Sequence, residues 1–94
     1  GKNSNPLPGG VEAQTRRVMD NLIIVLHELG LGIKHVFSAR VFITHFERDY
    51  ELLNKTYKSY FSVDRFAART CIGVTALARG ALVEIDMIAK RYSD

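Results

Sequence analysis

The 94 residues are 47% hydrophobic, carry 13 basic and 10 acidic side chains, and have a formal net charge of +3. A chain of this size forms one domain, buries only about 60–70% of its unfolded surface and so has a modest core that partner subunits would help. The basic residues are scattered along the chain without a run suited to a phosphate backbone, no apolar stretch nears the roughly 20 residues of a membrane span, and the single cysteine, Cys71, excludes an internal disulfide. One lone thiol fits a reducing compartment, read as cytoplasmic with a mitochondrial placement left open.

Gly1 to Gly10, GKNSNPLPGG, is rich in Gly, Pro and Asn and is expected to be a leading loop. From Val11 the pattern turns helical: Val18, Leu22, Val25 and Leu29 form a stripe that Met19, Ile23 and Leu26 widen. The helix is expected to end near Leu29, with Gly30 taking φ > 0 and Leu31 supplying the contact that follows such a stop. GLG at Gly30 to Gly32 is thereby explained without a phosphate loop.

Lys34 to Thr44 alternates as a strand, with Phe37, Ala39, Val41 and Ile43 expected to meet the helices. The other parity, Val36, Ser38, Arg40 and Phe42, is mixed, which points to a far sheet face covered by another subunit. Phe46, Tyr50, Leu53, Tyr57 and Phe61 then mark a second amphipathic helix. Ser62 to Phe66 reads as a polar linker and Tyr92 to Asp94 as a tail.

Ala67 to Ala89, AARTCIGVTALARGALVEIDMIA, contains two alternating β-runs. If Leu77 to Gly80 closes them into a hairpin, Arg69, Cys71, Glu84 and Asp86 share one face. The whole is expected to be α+β, two helices on one face of a small mixed sheet.

Arg69, flanked by apolar residues, needs an anionic partner. A carboxylate matches its fork, and each charge-assisted bond contributes about 1.5–3 kcal/mol. Ligand binding and an internal ion pair with Glu84 or Asp86 weigh equally on pattern alone. Either acid could instead orient water or exchange a proton. Cys71 reads first as a small packed residue and second as pocket lining. His27, His35 and His45 fall on separate elements without metal-ligand spacing.

GGVEAQTRRVMDNL, VFSARVFIT, LLNKTYKSYF and, above all, ARTCIGV followed by LARGALVEIDMIA resemble the Rid/YjgF group of reactive-intermediate enamine/imine deaminases, also described as L-PSP-type endoribonucleases. The resemblance covers nearly the whole chain. It implies a chorismate mutase-like fold, a homotrimer whose sheets close a central barrel, and sites at the subunit interfaces. It further implies that Arg69 grips the substrate carboxylate, that Glu84 serves the catalytic water, that Cys71 and Asn54 lie at the pocket, and that no metal or organic cofactor takes part. Asp86 receives no role.

Members of that group begin with two or three further strands, including a Tyr-Ser segment, so residues 1–94 are expected to be a single N-terminally truncated domain. Ala67 and Ala78 stand where prolines are common in the group. The implied function is hydrolysis of 2-aminoacrylate-like enamines or imines to 2-keto acids and ammonia. A non-catalytic small-carboxylate-binding domain is the alternative, and RNA binding or cleavage ranks third.

Overall fold

A computed structural model describes residues 10–62 and 68–91. In chain order it contains α1 (Val11–Glu28), β1 (Val36–Ile43), α2 (Phe46–Lys58), β2 (Ala68–Gly73) and β3 (Val83–Ala89), with single 3₁₀ turns at Ile33–His35 and Ala78–Gly80. Both helices pack on one face of a three-stranded sheet, the α+β arrangement expected. Residues 1–9 of the leading loop, most of the Ser62 to Phe66 linker, Ala67 and the tail from Tyr92 lie outside the described residues.

α1 stops as its sequence dictates. Gly30 takes φ +76°, its N–H donates to the His27 carbonyl at 3.0 Å, and the Leu31 N–H donates to the Leu26 carbonyl at 2.8 Å. This paired closure satisfies two terminal carbonyls and favours glycine at the left-handed position. The buried face of α1 is the expected stripe only in part: Met19 and Leu26 are buried and Val18 and Leu22 pack against the core, but Val11, Gln14 and Thr15 are buried too, whereas Val25 and Leu29 are 50% and 57% exposed. Two polar residues, Gln14 and Thr15, occupy the inner face, and the Gln14 Oε1 accepts the Leu82 N–H at 2.8 Å. A helix can bury such a side chain when it satisfies a loop amide, and apolar periodicity does not see it.

The expected hairpin does not form. The strand order is β2-β1-β3, with β1 parallel to β2 and antiparallel to β3. β1, α2 and β2 make a crossover unit, which parallel strands require. The chain then passes to the opposite edge through the 3₁₀ turn, where Arg79 and Gly80 have φ of 59° and 64°. The alternation within β2 and within β3 is as expected, but parity does not say which strands are neighbours.

The register redistributes the faces. Ala39 lies opposite both Arg69 and Met87, Val41 opposite Cys71 and Ile85, and Ile43 opposite Gly73 and Val83. Opposed residues point the same way, so these nine form the face turned to the helices. There Ala39, Val41, Ile43, Val83 and Ile85 join Met19, Leu53 and Tyr57 in the core. Glu84 and Asp86 register with Phe42 and Arg40 on the other face. A register irregularity between Val36 and Ser38 also breaks the alternation of β1: Val36 is buried and Phe37 is 51% exposed, the reverse of the expected parity.

Candidate carboxylate site

The site is built where β2 meets α2. Arg69 faces the helices from β2, and Tyr50 and Asn54, four residues apart, sit one turn apart on the same face of α2. One terminal nitrogen of Arg69 donates to the Asn54 Oδ1, and the other donates to the Tyr50 hydroxyl at 3.2 Å. Its guanidinium carbon lies 5.7 Å from the Tyr50 ring centroid and 5.2 Å from that of Tyr57. Phe46 stacks on Tyr50, with centroids 5.0 Å apart and planes at 15°.

Every partner of Arg69 among the described residues is neutral. A half-buried guanidinium without a carboxylate keeps an uncompensated charge, and its frame of rings and amide oxygen fixes direction without neutralising it. The expected ion pair of Arg69 with Glu84 or Asp86 is absent because those acids project from the opposite face. Asp86 is taken by Arg40, whose Nε and a terminal nitrogen donate to its two oxygens at 3.0 and 2.8 Å. Those bonds hold the Asp86 carboxyl below the usual carboxylate range.

Of the expected site residues, the structure brings together Arg69, Asn54 and Cys71, and leaves Glu84 apart. Glu84 is exposed on the far face, in β3, across β1 from the strand that carries Arg69. Cys71 is partly buried against the core, and burial pushes its thiol up while the charge of Arg69 pulls it down. Such a thiol stays protonated at neutral pH and is a poor nucleophile.

The sequence pattern assigns Tyr50 and Tyr57 only to the core stripe of α2. Tyr50 is a hydrogen-bond partner of Arg69, and the Tyr57 hydroxyl is buried without a partner among the described residues. The signal was present, since Tyr50, Asn54 and Tyr57 fall at i, i+4 and i+7. An amide amid an aromatic stripe needs a polar partner.

Among the described residues no group of three His, Cys, Asp or Glu side chains could hold a metal ion, and no helix is long and apolar enough to cross a membrane. The His35 Nδ1 instead accepts the Gly32 N–H at 3.0 Å. A shallow groove lined by Gly10, Val11, Glu12, Ala13, Arg16 and Leu52 lies at the start of α1 and shares no residue with the Arg69 site.

Residues 1–91 match the family model described as Endoribonuclease L-PSP. A RutC family protein of Synechocystis sp. is 38% identical over 81 residues, covering 86% of this chain and 62% of that protein. The 2-iminobutanoate/2-iminopropanoate deaminase of Escherichia coli K12 is 31% identical over 87 residues, covering 90% of this chain and 67% of the deaminase. Among solved structures, E. coli TdcF with bound serine superposes with a TM-score of 0.85 at 28% identity, over 92% of this chain and 68% of TdcF. The chain thus spans about six-tenths of the length of the first curated relatives it matches, 62% and 60% for two of them. By sequence and by fold, this chain belongs to the Endoribonuclease L-PSP family, the Rid/YjgF group.

Proposed function

We propose that the protein hydrolyses small 2-imino acids, formed by tautomerisation of 2-aminoacrylate-like enamines, to 2-keto acids and ammonia. The observation that carries this reading is the Arg69 guanidinium, half-buried, oriented by Tyr50 and Asn54, and facing no acid among the described residues. Arg69 binds the substrate carboxylate through its remaining N–H groups. Water then adds to the C=N carbon, a proton goes to nitrogen, and cleavage of the C–N bond releases ammonia and leaves the ketone. The imine carbon is already electrophilic, so holding acid and water in place supplies most of what is needed.

Glu84 is the proposed base for that water, and it acts from a second copy of the chain. Within one chain it lies on the opposite face from Arg69, so one copy cannot bring both to one substrate. Phe37, Ile72 and Ile88 are 51%, 39% and 57% exposed, which supports a homotrimer that covers this side of the sheet. Residues 1–94 act as one Rid-type domain in this reading. The E. coli deaminase and the serine complex of TdcF support a small amino-acid-like ligand.

An amino-acid oxidase that generates imine should release keto acid and ammonia faster when the protein is added. Arg69→Ala should remove at least about 100-fold of that acceleration, because two charge-assisted bonds are lost. Absence of any acceleration by folded, oligomeric wild-type protein overturns the enzymatic reading. The separation of Arg69 from Glu84 favours a second reading, a carboxylate-binding domain without turnover. Calorimetric binding of 2-ketobutyrate with no imine hydrolysis selects it.

A further inference from the structure

The Arg69 frame contains one more polar hydrogen than the binding of a carboxylate by arginine alone uses. Arg69 has five N–H donors, and two are committed, one to the Asn54 Oδ1 and one to the Tyr50 hydroxyl. In the second of these bonds the Tyr50 oxygen is the acceptor. Its own O–H therefore remains to donate, and it has no acceptor among the described residues. Tyr50 is only half-buried, so that proton can be reached.

Accepting a bond from a cation polarises a hydroxyl and strengthens it as a donor. The phenol is also held on the spot. Its ring stacks with Phe46 at 5.0 Å and lies 5.7 Å from the guanidinium carbon, and its backbone belongs to α2 rather than to a loop. A carboxylate bound on the free N–H groups of Arg69 comes beside this O–H. The deeper hydroxyl, that of Tyr57, cannot serve the same purpose because its oxygen is closed off by the surrounding packing.

We propose that Tyr50 is a binding residue of this site, donating its hydroxyl proton to the carboxylate that Arg69 holds, so that a small 2-keto or 2-imino acid is recognised by an Arg–Tyr pair. The inference rests on the carboxylate reading of Arg69. It extends that reading from charge attraction to selectivity: two donors of fixed direction favour a planar carboxylate over a neutral amide of the same shape, whose NH₂ group cannot accept.

The test compares wild type, Tyr50→Phe and Arg69→Met by titration calorimetry with 2-ketobutyrate and with its amide, 2-oxobutanamide. Tyr50→Phe keeps the ring and its stacking and removes only the hydroxyl. Its affinity for the acid should fall about tenfold or more, as for loss of a hydrogen bond to a charged group. Its affinity for the amide should fall clearly less, and its melting temperature should drop only slightly, for the loss of the Arg69–Tyr50 bond. Equal losses for acid and amide would mean that the hydroxyl merely shapes the site, and the proposal fails. Wild-type affinity for the acid in Tyr50→Phe, with binding lost in Arg69→Met, also overturns it while leaving the carboxylate reading intact. Wild-type affinity in Arg69→Met overturns the carboxylate reading itself, and the role of Tyr50 with it.

Discussion

The two faces of the sheet place similar chemistry in opposite settings. Toward the helices, Arg69 is half-buried, ringed by Tyr50, Tyr57 and Asn54, and meets no acid among the described residues. On the far face, Arg40 is 63% exposed, meets Asp86 through two hydrogen bonds and lies 5.6 Å from the Phe42 ring centroid. Both arginines come from strands and both touch aromatic rings. The difference lies in what neutralises them: Asp86 satisfies Arg40, whereas the neutral groups around Arg69 orient it and leave its charge unpaired among the described residues.

The sharpest way to break this comparison is to ask whether the two faces cooperate across chains. If Arg69 of one copy works with Glu84 of another, Arg69→Ala and Glu84→Ala should each be inactive alone. Co-refolded at equal amounts, they should recover activity, because some sites then combine an intact arginine with an intact glutamate. Random mixing around a ring makes that combination at about one site in four, one half times one half, so about a quarter of the wild-type rate is expected in the oxidase-coupled assay. No recovery in mixed oligomers would mean that Glu84 does not act from a neighbour.

The separation of Arg69 from Glu84 was hidden in the sequence for a definite reason. Alternation placed Cys71 with Arg69, and Asp86 with Glu84, and both pairings hold in the structure. The relation between the two pairs needed the strand order, which depends on β1 entering between β2 and β3. The turn-forming residues near Gly80 were consistent with a local hairpin, yet they support a crossing of the sheet equally well. The two helices, the Gly30 stop and the existence of β1 were legible because they depend on local periodicity and backbone freedom. The rotation of the buried face of α1 toward Gln14 and Thr15 was not, since it depends on a distant amide, that of Leu82.

A second experiment probes how fully the helix face is satisfied. Tyr57 is 2% exposed and its hydroxyl is buried without a hydrogen-bond partner among the described residues. Burial also raises its pKa, against the pull of Arg69, so the phenol stays neutral. Leaving a buried polar group unpaired costs about 1–3 kcal/mol. Tyr57→Phe should therefore stabilise the fold by about 1 kcal/mol in urea unfolding and keep the ring beside Arg69. A loss of stability would show that the hydroxyl has a partner in the assembled protein, and the contrast with the well-paired Arg40 on the far face would disappear.

The smallest expected effect tests that far face. Arg40 holds the carboxyl of Asp86 below its ordinary range chiefly by hydrogen bonding, and the unfolded-state value is about 3.9. A folded pKa below the unfolded one means that the pair contributes stability above about pH 4 and loses it as the pH falls through the folded value. Asp86→Asn should thus lower the melting temperature by about 2 °C near neutrality, and the difference from wild type should close in acid. Salt decides what covers the pair. At 63% and 46% side-chain exposure in the single chain, the Arg40–Asp86 interaction should be largely screened by about 1 M NaCl. In an oligomer that buries the far face, screening is weak and the difference should persist in salt. Persistence at high protein concentration, with loss on dilution, is the expected outcome. A difference that salt abolishes at every concentration would mean that no neighbour covers this face, and Glu84 would then have no second chain to serve.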